Sequence, residues 1–173
     1  MNQSTDQSTD QSTDQSTDQS TDQSTDDIII YTDGACKKNG YKNAKASIGI
    51  HFSTKNKIHF DDVSERFTDN PTNQRAELYA ILKALHTVQG LSNKIIIYTD
   101  SEYSINCITK WFYNWNKQGK LDKKKNIDLI QPAHLYYRHR RIEFRHINSH
   151  TGLQDEHSLG NEEADRLANL ALN

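Results

Sequence analysis

The hexapeptide IIIYTD occurs twice, at residues 28–33 and 95–100, followed by GAC the first time and by SEY the second. Each copy is a short β-branched apolar run stopped by a polar residue, the pattern of a strand buried on both faces. Two such runs ending on a carboxylate constrain the fold sharply. They are expected to lie as neighbours in one sheet and to deliver Asp33 and Asp100 to one place. Chance duplication is the alternative.

The intervening and following segments supply the rest of a sheet. Ala46–Phe52 and roughly Lys57–Phe67 read as two further strands, close enough in sequence to form an antiparallel meander with the first. After Asn70-Pro71-Thr72, Leu78, Ile81, Leu82, Leu85 and Val88 recur at helical spacing up to Gly90. The second IIIYTD is the fourth strand. Residues 101–110 are helical, and a segment from about Ile127 to Tyr137 is helical with a kink or division expected at Pro132. Arg141–Ile147 alternates as a fifth strand, and a polar loop leads to a closing helix over Asn161–Leu172, with Glu162 and Glu163 in its first turn. Helices link the third strand to the fourth and the fourth to the fifth, so these are expected to pair in parallel. The prediction is an α/β fold: a five-stranded mixed sheet, three antiparallel strands then parallel additions, flanked by helices. Ligands of such sheets collect beyond the carboxyl ends of parallel strands, where Asp100 falls.

Residues 1–26 are a different material. After Met1 and Asn2 the tetrapeptide QSTD repeats six times, with no apolar side chain to offset the entropy of ordering, so a disordered tail is expected ahead of a domain at 27–173. The tail holds six aspartates, so the domain carries 21 basic and 17 acidic side chains, a net of +4, which permits a polyanion partner. Cys36 and Cys107 are far apart without metal-type pairing and are read as reduced thiols. No stretch has the apolar length of a membrane span and the N-terminus lacks the features of a secretion signal. A soluble intracellular monomer of the cytoplasm or nucleus is expected.

Two further acids share the setting of Asp33 and Asp100. Glu77 stands in the first turn of its helix between Ala76 and Leu78, and Asp165 follows Ala164 with Leu167 and Ala168 a turn later. Singly, each has a bland role as turn residue or dipole partner. Converging carboxylates resist joint ionisation unless a cation neutralises them. Hard oxygen-seeking divalent ions do so, and two of them suit in-line phosphoryl displacement.

YTDGAC at 31–36, TNQRAELYA at 72–80, YTDS at 98–101 and GNEEADRLA at 160–168 occur in this order and resemble the type 1 ribonuclease H family. The resemblance runs from about Asp27 to the C-terminus. It implies a ribonuclease H-like fold and a Mg²⁺-dependent endonuclease, two ions per site with Mn²⁺ as possible substitute. The implied substrate is the RNA strand of an RNA–DNA hybrid, cut to 5′-phosphate and 3′-hydroxyl ends. The implied metal ligands are Asp33, Glu77, Asp100 and Asp165. His150, in INSHTG, matches the family's mobile histidine, which assists proton transfer or product release. The stretch from His150 to Asn161 is longer than the family pattern, which makes His157 a competitor; the flanking SHTG favours His150.

Lys110–Lys125 holds six lysines and one aspartate among Trp111, Phe112, Tyr113 and Trp115. Cations for phosphates beside flat rings for sugars or bases suit a nucleic-acid backbone, and the stretch resembles the family's basic protrusion, with Trp111, Trp115 and Lys117 as contacts. The resemblance also implies that Asn39, Asn73 and Gln74 touch the two strands beside the scissile site. Thr72 and Asn126 match a DNA-phosphate pocket, in which Asn70 replaces an arginine of some relatives. Cys36 matches a position near the RNA strand. Many eukaryotic relatives carry a hybrid-binding domain where this chain has its acidic tail, so modest, salt-sensitive binding is expected. A non-catalytic binding module and an integrase- or resolvase-like nuclease on another substrate are the rival readings.

Overall fold

The computed structural model describes residues 26–173. The expected disorder of the tail concerns residues outside this range, apart from Asp26. That residue pairs with Lys57 and accepts the Asn93 side-chain amide on its carbonyl at 2.6 Å.

Five strands, β1 (Ile28–Lys37), β2 (Lys45–Phe52), β3 (Val63–Phe67), β4 (Ile95–Thr99) and β5 (Ile142–His146), form one mixed sheet in the order β3-β2-β1-β4-β5. β2 runs antiparallel to both β1 and β3, while β4 is parallel to β1 and β5 parallel to β4. The α/β prediction holds, with one correction. The helical link after β3 does not lay β4 beside it. β4 is buried at all five positions and needs a neighbour on each side, whereas β3 is mostly only half-covered or exposed, as an edge strand can be. β3 is also shorter than expected, because residues 53–62 form a loop pinned to β1 by Asn56, which accepts from Ile29 N at 2.9 Å and donates to Ile29 O at 3.0 Å.

The two hexapeptides pair in register with themselves: Ile28 faces Ile95, Ile29 Ile96, Ile30 Ile97, Tyr31 Tyr98 and Thr32 Thr99. Alternate residues bury opposite faces. Ile28, Ile30, Ile95 and Ile97 join the core under α1 (Asn73–Thr87) and α4 (Ile127–His139), while Ile29, Tyr31, Ile96 and Tyr98 pack with Ala164 of α5 (Glu156–Leu172). Thr72 caps α1 by accepting from Arg75 N at 3.2 Å. Between β4 and α4 the chain makes α2 (Glu102–Asn106), a π-helical turn (Cys107–Trp111), α3 (Phe112–Lys117) and a 3-10 turn at Leu121–Lys123. The Ile108 carbonyl within the π turn meets Nδ1 of buried His134 at 2.6 Å.

Two helix predictions change. Pro132 does not divide α4; the carbonyl that the proline cannot bond belongs to Asp128, an exposed residue of the first turn, where it can tilt outward. α5 begins at Glu156, five residues earlier than expected, because Asp155 caps it by accepting from His157 N and Ser158 N, each at 3.1 Å. Glu162 and Glu163 therefore lie beyond the first turn. Gly160, which looks like a helix breaker, is required inside the helix: a Cβ there would lie 2.4 Å from Cζ of Tyr31. Both cysteines are free, Cys36 half-buried and Cys107 buried.

Candidate active site

The register of β1 and β4 ends at Thr32 and Thr99, so Asp33 and Asp100 follow at the carboxyl edge of the parallel pair. β1 does not stop at the polar residues that end its apolar run. It runs on beside β2, with Asp33 opposite Gly49 and Gly34 opposite Ile48. Gly34 lets α1 cross close by: a Cβ there would lie 2.3 Å from Glu77 N and 2.5 Å from the Ala76 carbonyl carbon. That crossing brings Glu77 to the end of the strands. Carboxylate oxygens of Asp33, Glu77 and Asp100 all lie within 4.8 Å of one another.

Asp165, on α5, stands beside Asp33 but outside that set of three. Gly49, the partner of Asp33, passes under the α5 backbone so tightly that a Cβ would lie 1.9 Å from Ala164 O. The Asp165 carboxylate is near enough to Asp33 to raise its proton affinity, and it accepts from Asn169 Nδ2 at 2.8 Å.

The electrostatics record the crowding. Asp33 is pushed up to about 7, first by burial, then by the charge of Asp100 and by Asp165, against a backbone hydrogen bond from Gly34 N at 2.8 Å. Burial, then the charges of Asp33 and Asp100, raise Glu77 well above the carboxylate range. Asp100 is raised too, mainly by burial, with Ser149 and His146 opposing. Among the described residues no lysine or arginine forms an ion pair with any of the four, and Glu77 Oε2 is buried without a hydrogen-bond partner. A pocket of hard oxygens, short of positive charge and holding an unpartnered carboxylate oxygen, fits a divalent cation.

The other predicted residues divide into those beside this cluster and those elsewhere. His150 follows Ser149, is exposed, and adopts φ 53. His157 is not at the cluster. It belongs to α5, with Nδ1 3.0 Å from the Tyr31 hydroxyl and Nε2 3.1 Å from the Tyr98 hydroxyl. Asn39 Oδ1 accepts from Asn73 N at 3.1 Å, which joins the β1–β2 loop to the start of α1, and Gln74 is exposed next to it. Thr72 and Asn126 stand at the N-termini of α1 and α4, which Arg75 ties together by donating to Asp69 and to both carboxylate oxygens of Asp128. Cys36 lies along β1 beyond the cluster. Trp111 is exposed, Trp115 half-buried under Lys124 Nζ (4.9 Å from its ring), and Lys117 exposed. Sequence reasoning missed His146 and Ser149. His146 faces Thr99 as the last residue of β5, and its Nε2 meets Asp100 O at 3.1 Å. Its place at the end of a strand parallel to β4 was the available signal.

This strand order, with Asp33 of β1, Glu77 of α1 and Asp100 after β4 gathered where the parallel strands end and Asp165 of α5 beside Asp33, defines the ribonuclease H-like class. The RNase H family model matches residues 25–173. The chain is 37% identical over 147 residues to ribonuclease H1 of Mus musculus, covering 82% of this chain and 48% of the mouse protein. It is 38% identical over 148 residues to ribonuclease H of Hahella chejuensis, covering 83% and 91%. The solution structure of the PFV RNase H domain matches with a TM-score of 0.69 at 25% identity, over 83% of this chain and 93% of that domain. The chain belongs to the RNase H family. It spans about half the length of the mammalian ribonuclease H1 proteins that it matches.

Proposed function

We propose that the protein is an endonuclease that hydrolyses the RNA strand of RNA–DNA hybrids, using Asp33, Glu77, Asp100 and Asp165 to hold two Mg²⁺ ions. The observation that carries the reading is the convergence of three carboxylates within 4.8 Å with Glu77 Oε2 unpartnered. Family membership supports the substrate class. Mg²⁺, with Mn²⁺ as a substitute, supplies when bound the neutralisation of charge on the attacking and leaving oxygens.

The residues divide the work. Asp33 and Asp100, fixed at the ends of paired strands, need no reorganisation when substrate arrives. Glu77 completes the cage from α1, and Asp165 adjoins it through Asp33. Water adds to phosphorus and the bond to the 3′-oxygen breaks, leaving a 5′-phosphate and a 3′-hydroxyl. The proton required at the leaving oxygen is carried by His150 or by solvent, and the exposed position of His150 suits a group that acts in turnover. Asn39, Asn73, Gln74 and Cys36 border the strands, and Thr72 with Asn126 holds a DNA phosphate. Trp111, Trp115 and Lys117 meet the DNA strand. The protein acts as a monomer. Among the described residues no helix is long and apolar enough to cross a membrane.

Asp100→Asn tests the assignment. Cleavage of labelled hybrid in Mg²⁺ should fall by about 10³-fold or more, as loss of a metal-holding charge implies, while the melting curve stays cooperative. Near-normal cleavage by that variant, or equal cutting of duplex DNA by the wild type, would refute the reading.

A further inference from the structure

His157 takes part in a chain of contacts that lies outside the acidic cluster. Tyr31 and Tyr98 are register partners, with ring centroids 5.3 Å apart, and they stand two residues before Asp33 and Asp100 on the same strand faces. The His157 imidazole stacks on Tyr98 at 4.2 Å and 18° and touches both phenol oxygens. Arg145 Nη1 donates to the Tyr98 oxygen at 2.9 Å, and the guanidinium carbon lies 5.7 Å from the Tyr98 ring centre. Arginine can only donate, so the Tyr98 proton is free for His157 Nε2, and Nδ1–H then donates to Tyr31. One imidazole thus ties α5 to β1 and β4 together, while Arg145 brings β5 into the same chain of donors.

The tie bears on Asp165 through the helix. His157 precedes Asp165 by eight residues, about two turns and about 12 Å along the axis. Between them Gly160 lies against the Tyr31 ring and Ala164 against Gly49, so this part of α5 has no slack perpendicular to the sheet. Those two contacts set its height. Neither is directional, and neither fixes translation along its axis. Hydrogen bonds at two levels of the helix do: Ser64 Oγ to Leu167 O at 2.7 Å and Ser47 Oγ to Ala168 O at 2.5 Å on the C-terminal side of Asp165, and the pair made by His157 on its N-terminal side.

We infer that His157 is a positioning residue: its hydrogen bonds to the Tyr31–Tyr98 pair fix the N-terminal half of α5 along its axis, as Ser47 and Ser64 fix the C-terminal half, and so hold the distance of Asp165 from Asp33. The inference rests on the metal-holding role proposed for Asp165. A residue that supports a metal ligand typically changes affinity by 10- to 100-fold when removed; acting across two helical turns, His157 is expected to contribute about 3- to 10-fold.

The test uses the full chain, stripped of metal, and Mg²⁺ alone as the probe. The half-saturating Mg²⁺ is measured from the rise in melting temperature and, separately, from hybrid cleavage, for His157→Phe, His157→Gln, Asp165→Asn and the double variant His157→Phe/Asp165→Asn. His157→Phe keeps a stacking ring and loses both hydrogen bonds. It should raise half-saturating Mg²⁺ about 3- to 10-fold by both readouts and leave KM for hybrid within about two-fold. Glutamine, with one donor and one acceptor, should recover most of the shift, and the double variant should be no worse than Asp165→Asn. Lower melting temperature with unchanged half-saturating Mg²⁺, or additive effects in the double variant, would overturn the inference. If His157→Phe does not fold, Tyr31→Phe, which removes one acceptor only, is judged by the same criteria. An Asp165→Asn variant with wild-type Mg²⁺ dependence would instead remove the proposed role of Asp165, and the positioning role of His157 with it.

Discussion

Replacing Asp33 by asparagine should make the metal-free protein more stable, not less, at alkaline pH. The side chain is buried, and its carboxyl is pushed up from 3.8 to about 7 by burial, then by Asp100 and Asp165. Below pH 3.8 the group is protonated in folded and unfolded chains alike, so the fold suffers no charge penalty. Between 3.8 and about 7 the unfolded chain releases a proton that the folded chain keeps, and stability falls as pH rises. Above about 7 the whole cost is present, at most about 4 kcal/mol for a difference of roughly three pKa units. Asparagine removes the charge, keeps the carbonyl oxygen that accepts from Gly34 N, and gains an N–H for a neighbouring carboxylate. Relaxation of the wild-type cluster lowers the expected gain to about 2–3 kcal/mol at pH 8, or about 4–12 °C in melting temperature for a domain of this size. At pH 4 the difference should shrink below about 1 kcal/mol. The assay is thermal unfolding followed by circular dichroism in chelator at pH 4, 6 and 8, repeated with Mg²⁺. Saturating Mg²⁺ should stabilise the wild type at pH 8 and stabilise the asparagine variant much less. A variant less stable than wild type in chelator at pH 8 would show that the carboxylates are not in mutual repulsion, and the account of the site would fail.

Arg75→Ala should destabilise the fold by about 2–3 kcal/mol, read from the denaturant midpoint, because a buried guanidinium holding the starts of α1 and α4 is lost. Its partners Asp69 and Asp128 are more than half exposed and would rehydrate, which keeps the cost moderate. Asp128, held below the usual carboxylate range by Arg75, contributes stability at neutral pH that is lost as pH falls through 3.8 and below; the variant should lack that acid dependence. Lys117→Ala should raise KM for hybrid a few-fold with kcat unchanged. It should also reduce the slope of log affinity against log salt by about one, if this lysine meets a phosphate.

The fold was legible wherever one segment states its own environment. IIIYTD announces a buried strand because every residue before the threonine is apolar or aromatic. The helix over Asn73–Thr87 announces itself through a capping threonine and a 3.6-residue period. What sequence periodicity does not contain is what a distant segment demands. Gly34 and Gly160 look like a turn and a helix stop, yet each is small because something presses on it, α1 in one case and the Tyr31 ring in the other. The early start of α5 was hidden for the same reason: Asp155 and Ser158 look like loop residues until their mutual hydrogen bond, Ser158 Oγ to Asp155 Oδ2 at 2.6 Å, makes them a cap. Asp33 and Asp100 stood out because each ends the same apolar hexapeptide, whereas Glu77 and Asp165, inside helices, stood out through the apolar residues beside them and the resemblance of their motifs. His146 was not, because β5 shows only a weak alternation and its pairing with β4 had to be seen.

The register of β1 and β4 is therefore the quantity on which the site depends, and no turn fixes it, since the strands are parallel and far apart in sequence. A slip of one residue would send Asp33 to the opposite face from Asp100. A slip of two would keep the faces but separate the two carboxylates by about 6.6 Å more along the strand, too far to share one cation. Identical sequence does not by itself exclude either slip, because isoleucine packs beside isoleucine in several registers. Three local features do. The Tyr31–Tyr98 stack fits under a single histidine only when the rings are level, and Gly34 admits the α1 backbone at one place only. Gly49, opposite Asp33, admits the α5 backbone at another. The first levels β4 against β1, and the glycines fix β1 against α1 and its partner β2 against α5, so a charge cluster that would otherwise push its strands apart is held by packing that does not depend on the cation.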